Sequence, residues 1–195
     1  MIKLGITGGI GSGKSVVSRL FQAMNIPVYL TDDEAKRLTV KDGEIRCKLC
    51  DLLGEDIYHA DGSLNKPLLA NYIFGHPGHI EKVNSVIHPR VKSDFLRWVR
   101  AQREQSLVAM ECAILYESGF DEVVDRVIAV SAPLDLRVRR AMERDHAQEE
   151  QIRRRITHQM SDAELAGRAD FMVVNDGNTP LIPQIMRILH SMNIF

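Results

Sequence analysis

Three cysteines in 195 residues are too few for a disulfide framework, which excludes a small stapled secreted fold. No apolar run approaches the roughly 20 residues that a membrane-spanning helix requires. The amino terminus enters an apolar run directly, without the charged and hydrophobic regions of a leader peptide, so a cytoplasmic protein with no membrane partner is expected. Excess charge is missing as well: 25 Lys and Arg face 26 Asp and Glu, a net charge of −1. Nothing global therefore marks a nucleic acid or an anionic surface as a partner. Repeats and low-complexity tracts are absent. A second C-x-x-C is absent too. Cys47 and Cys50 lie in a helical-looking run with Ile45, Leu49, Leu52 and Leu53, which predicts buried helix cysteines and not a redox pair or half of a metal site. His76 and His79 have no neighbouring Cys or carboxylate to complete a metal site and are expected in a loop.

What is present begins at Gly8. Gly8-Gly9-Ile10-Gly11-Ser12-Gly13-Lys14-Ser15 follows the apolar run Ile2 to Thr7 and matches G-x-x-x-x-G-K-[ST], a phosphate-binding loop set where a first strand turns into a first helix. Glycines at Gly8, Gly9, Gly11 and Gly13 let the backbone approach an anion closely, so that successive N–H groups from Gly9 to Ser15 converge on phosphate oxygens. A helix starting near Gly13 adds its unpaired amides and the positive end of its dipole. Lys14 is expected on the β and γ phosphates of ATP, and the Ser15 hydroxyl on Mg²⁺.

Five short, almost continuously apolar runs read as strands: Ile2 to Thr7, Val28 to Leu30, Leu107 to Glu111, Arg126 to Val130 and Phe171 to Asn175. Separated by helical patterns, they predict an α/β fold, a parallel sheet of about five strands with helices on both faces. The whole chain, 1–195, reads as one P-loop domain with a nucleotide-binding core from 1–35, 106–132 and 168–195. The gap 36–105 is too long for a simple crossover and predicts an inserted helical subdomain for the acceptor. Its apolar stripe of Ile80, Val83, Ile87, Val91, Phe95 and Trp98 is interrupted at Pro89. Phe95 and Trp98 are expected as core residues and not as a base-stacking platform. A second insertion, 133–167, carries seven arginines from Arg137 to Arg155 and fits a helical lid.

A phosphate-binding loop serves kinases, GTPases and switches alike. GTPase signals are weak: Asp51-Leu52-Leu53-Gly54 falls in the helical insertion, and Asn65-Lys66-Pro67-Leu68 lacks the final Asp. A small-molecule kinase needs a carboxylate at the acceptor hydroxyl and arginines over the transferring group. In open parallel sheets ligands bind beyond the carboxyl ends of strands, which draws attention to Asp32 and Glu111. Asp32 is the expected general base, and the adjacent Asp33 could exchange roles with it. Arg140 and Arg144, one helical turn apart, are the arginines expected at the nucleotide, with Arg140 catalytic beside Lys14; the other lid arginines are expected as surface residues.

The chain resembles the dephospho-CoA kinase family over nearly its whole length. The resemblance is carried by Leu4 through Ser15, Thr31-Asp32 with Ala35-Lys36-Arg37, His88-Pro89, Glu111 to Glu117, Arg140 and Arg144-Asp145, Arg155-Ile156 with Gln159, and Ala169-Asp170 through Gly177. It implies ATP-dependent phosphorylation of the ribose 3′-hydroxyl of dephospho-CoA, with Mg²⁺. It further implies acceptor contacts at Asp32, His88, Leu115 and Glu117, and a nucleotide contact at Asn175. Departures are Leu30-Thr31-Asp32 for the family's Asp-Ala-Asp, Val16 for a Thr, Glu111 for an Asp and Ala113 for a Pro. Val16 keeps the backbone amide that faces phosphate. ATP and dephospho-CoA are the expected partners, and the protein is expected as a monomer or small homo-oligomer. The competing readings are another small P-loop kinase, acting on a nucleoside monophosphate or a shikimate- or gluconate-like metabolite, and a nucleotide-dependent switch.

Overall fold

A computed structural model describes residues 1–194. Two compact units emerge: Met1–Leu30 together with the chain from Ala101 onward, and Thr31–Arg100.

The first unit is built on strands β1 (Ile2–Thr7), β2 (Val28–Leu30), β3 (Leu107–Glu111), β4 (Arg126–Ser131) and β5 (Phe171–Val174). All neighbouring pairs are parallel and the order is β2-β3-β1-β4-β5. Near-continuous apolar runs form β1, β3 and β4, each with four consecutive buried residues, because both faces are covered there; at the edge strand β5, Met172 and Val174 are exposed. On one face, Leu4, Ile6, Leu107, Ala109, Ile128, Val130 and Val173 pack with Val17 and Phe21 of α1 (Lys14–Ala23) and Ile185, Ile188 and Leu189 of α9 (Leu181–Ser191). On the other face, Leu115 and Val124, from the β3–β4 connection, close over Gly5.

Helices α6 (Leu134–Asp145), α7 (Glu149–Thr157) and α8 (Asp162–Arg168) link β4 to β5. A small cluster of Val138, Ala141 and Ile152 joins α6 to α7. Ser161 caps α8 in a reciprocal arrangement with Glu164, which satisfies two amides of the first turn.

The second unit holds α2 (Thr31–Lys41), α3 (Gly43–Leu53), α4 (Lys66–Ile73) and α5 (Pro77–Ala101, all but its last residue). Leu38, Ile45, Leu49, Ile57, Val91 and Phe95 are buried there. Arg37 of α2 donates to Asp94 of α5 at 2.8 Å, and Arg90 of α5 donates to Asp42, the N-cap of α3, at 2.8 Å.

Three expectations are corrected here. Cys47 is exposed and Cys50 half-buried, because the buried stripe of α3 follows Ile45 and Leu49, and Cys47 lies about 200° round the helix from Ile45. Helix α5 runs unbroken through Pro89, whose exposed position leaves the packing of Val83, Val91 and Phe95 on either side to hold the helix together. His79 belongs to the first turn of α5, where its ring stacks on Tyr72 with centroids 4.1 Å apart. Among the described residues no helix is long and apolar enough to cross a membrane.

Candidate active site

Strand β1 is the centre of the sheet, and the connections leave it in opposite directions: α1 leads outward to β2, and β4 lies on its other side. Such a switch in direction opens a crevice at the carboxyl end of the central strand. The loop Gly8 to Gly13 occupies that end, and α1 begins at Lys14 with Gly13 as its N-cap.

The loop bends through positive φ at Gly8 (146°), Gly11 (75°) and Gly13 (94°), conformations that residues with a Cβ rarely adopt. Two glycines are also required by what lies behind the loop. A Cβ on Gly13 would stand 2.0 Å from the Asn175 Nδ2, and one on Gly11 would stand 2.1 Å from the Arg137 carbonyl oxygen. The loop is thus packed closely against α6 and the end of β5.

Lys14 folds over the bend: its Nζ donates to the Gly8 carbonyl at 2.7 Å and the Gly9 carbonyl at 3.2 Å. Ser12 is fully buried. Ser15 and Val16 are exposed on the first turn of α1. Asn175, just past β5, donates through Nδ2 to the Ser12 carbonyl at 2.8 Å and receives Arg140 Nη1 on its own carbonyl at 3.0 Å. Arg140, Asn175 and Gly13 therefore meet in one place. A cavity of about 760 Å³ opens beside them, lined by Leu136, Arg139, Arg140, Glu143, Gly177 and Asn178 among others.

Arg144 goes elsewhere. Its guanidinium grips Asp145 through Nε (2.7 Å) and Nη2 (3.1 Å), and Arg155 reaches the same carboxylate at 2.7 Å. Those hydrogen bonds, Arg144 first and Arg155 second, hold the Asp145 carboxyl far below the usual carboxylate range. The two arginines expected side by side thus have separate partners.

Arg137 was not expected at the loop. The lid arginines outside Arg140 and Arg144 were read as surface residues, yet the Arg137 side chain is only 5% exposed, with Nε on the Ile10 carbonyl at 3.0 Å. Its signal in the sequence was position: Leu134, Arg137, Val138 and Ala141 fall on one stripe of α6.

The remaining candidates are divided between the two units. The Leu115 side chain is fully enclosed, and a carbon on Gly5 would meet it at 2.5 Å. Glu117 is exposed and accepts the Met160 amide at 3.2 Å. Within the second unit, Asp32 is exposed in the first turn of α2, and Asp33 is paired with Lys36 at 3.0 Å. His88 is half-buried in α5, where burial and then the Lys92 charge push its pKa below the ordinary histidine value.

Comparison with known proteins places this geometry in a family. The family model for dephospho-CoA kinase matches residues 2–180. A dephospho-CoA kinase of Bacteroides fragilis is 52% identical over 188 residues, covering 96% of this chain and 91% of the relative. One from Porphyromonas gingivalis is 45% identical, with 98% and 94% covered. A crystal structure from Thermus thermophilus superposes with a TM-score of 0.83 at 29% identity, covering 98% of this chain and 97% of the other.

Proposed function

The chain belongs to the dephospho-CoA kinase family, and from that membership we propose that it transfers the γ-phosphoryl group of ATP to the ribose 3′-hydroxyl of dephospho-CoA, yielding coenzyme A. The observation that carries the reading is the glycine-rich bend at the end of β1, leading straight into the amino end of α1, in a chain matched by the family over residues 2–180.

In-line phosphoryl transfer asks the protein for position and for charge stabilisation more than for covalent chemistry. Backbone amides from Gly9 to Val16, with the α1 dipole behind them, hold the phosphate chain. Lys14, fixed over the bend by two carbonyls, supplies a cation at the β and γ phosphates. Arg140 sits where the loop meets Asn175 and answers the charge that grows on the transferring oxygens. The cavity beside Arg140 and Gly177 accommodates the nucleoside.

Mg²⁺ fits the residues present. Ser15 offers one exposed hydroxyl at the start of α1, and among the described residues no cluster of three metal-ligating side chains stands ready for a resident ion. That is the donor set of an ion that arrives with most of its ligands as phosphate oxygens and water. When bound, it supplies neutralisation of phosphate charge.

Asp32 serves as general base for the acceptor hydroxyl. It is exposed, while Asp33 is engaged by Lys36. His88, whose pKa burial pushes below the ordinary histidine value, and Glu117 are the proposed acceptor contacts.

An ADP-release assay across dephospho-CoA, nucleoside monophosphates, shikimate and gluconate tests the reading. Dephospho-CoA alone is expected to stimulate ATP consumption; stimulation by one of the others, with none from dephospho-CoA, overturns it. Asp32→Asn is expected to keep ATP binding and to lower kcat by at least ~100-fold, and unchanged turnover removes the base assignment.

A further inference from the structure

Both backbone polar groups of one residue in the phosphate loop are already taken by side chains from far along the chain. The Ile10 carbonyl accepts from Arg137 Nε at 3.0 Å, and the Ile10 amide donates to Gln159 Oε1 at 2.7 Å. Arg137 is buried, and its charge is balanced by Asp162: Nη1 lies 2.7 and 2.9 Å from the two carboxylate oxygens. Asp162 is in the first turn of α8, while Arg137 is on α6 and Gln159 follows α7. The remaining nitrogen, Nη2, closes on Gly9 so tightly that a Cβ there would stand 1.9 Å away.

We propose that Arg137, seated on Asp162, is a positioning residue for the phosphate loop: it fixes the Gly9–Gly11 bend in the shape that presents amides to the nucleotide, and it ties that shape to the amino end of α8. The proposal rests on the ATP reading of the loop and deepens it.

The physical argument concerns freedom. A loop with four glycines among six residues has many accessible backbone conformations, and only those in which the amides converge bind phosphate well. Arg137 removes much of that freedom in advance. Its planar fork reaches the Ile10 carbonyl with Nε and the Asp162 carboxylate with Nη1 at once, which an ammonium on a flexible stem does not reproduce. Without the fork, nucleotide binding itself must order the bend, and affinity falls by that cost. The reacting groups are otherwise untouched, so the loss falls on nucleotide binding and far less on the chemical step. A residue that only filled space would lower thermal stability and leave nucleotide affinity alone.

The test compares wild type with Arg137→Gln, Arg137→Lys and Asp162→Asn in three measurements: equilibrium titration with ATP and ADP, steady-state kinetics, and thermal unfolding. For Arg137→Gln, the Kd and KM for ATP are expected to rise about 10- to 100-fold, the loss of a charge-assisted hydrogen bond, with the KM for dephospho-CoA unchanged and kcat altered much less. Arg137→Lys and Asp162→Asn are expected between that variant and wild type. A folded Arg137→Gln with nucleotide affinity within about twofold of wild type, or with a lowered melting temperature as its sole defect, overturns the proposal. Should Arg137→Gln fail to fold, Arg137→Lys and Asp162→Asn decide, because the first keeps a cation beside Asp162 and the second keeps the guanidinium on the Ile10 carbonyl with an amide in place of the carboxylate; no rise in nucleotide Kd in either one overturns it. A wild-type protein that binds neither nucleotide overturns the ATP reading first, and this proposal with it.

Discussion

The arginines of α6 and those of α7 are the same residue type a few turns apart, and they have different physical lives. Arg137 and Arg140 on α6 end on main-chain oxygens, the carbonyls of Ile10 and Asn175. Arg153 and Arg154 on α7 end on Glu149 and Glu150, acidic side chains one turn back on their own helix. A carbonyl in a packed loop fixes the guanidinium in place. A flexible carboxylate in water does not, and such pairs contribute little. Of these four arginines, the two that reach a main-chain carbonyl are the two that pack against the phosphate loop and its neighbour Asn175.

The contrast can be broken experimentally. Removal of Arg140 should have the largest effect: Arg140→Ala is expected to lower kcat by ~100-fold, and Arg140→Lys to recover only part of it. Wild-type kcat in Arg140→Ala would erase the distinction between the two helices.

Asp145 sits between the two sets, clasping Arg144 of α6 and Arg155 of α7, and its effect is expected to be smaller. Its folded pKa is depressed, so the stabilisation is present above the unfolded carboxylate value near pH ~4 and is lost as pH falls below it. Asp145→Asn should melt below wild type at neutral pH, and the gap should shrink in acid. A gap of equal size at both pH values contradicts the assignment. Both arginine partners are more than half exposed, which keeps the effect small.

The smallest expected effect is at Arg154, where the side chain is 74% exposed and its glutamate partner 77%. Arg154→Ala should leave melting temperature and kcat within measurement error. A clear loss in either one would show that the outer face of α7 does more than meet solvent.

Much of the sheet was legible because buried parallel strands are short apolar runs with polar ends. Ile2–Thr7, Val28–Leu30 and Leu107–Glu111 begin and end where expected, while β4 extends one residue further and β5 ends one residue sooner. The phosphate loop was legible because its chemistry constrains consecutive residues. Groups assembled from distant segments were harder to read. Nothing local tells that α6 turns Arg137 toward Ile10, 127 residues away, or that Asn175 lies under Gly13. The exposed Cys47 and the unbroken helix at Pro89 were missed for a related reason: the side of a helix that becomes buried is decided by its neighbours, not by its own sequence alone.

The closeness of Arg137 to Gly9 has a consequence for how this sequence can change. Positions 9 and 137 share one small volume, so a side chain added at residue 9 must contend with the guanidinium of residue 137. A methyl group introduced at residue 9 forces the guanidinium to move away from the loop, and a shortened side chain at 137 leaves room beside Gly9. Substitutions at these two sites are therefore expected to be non-additive, the effect of one depending on what stands at the other.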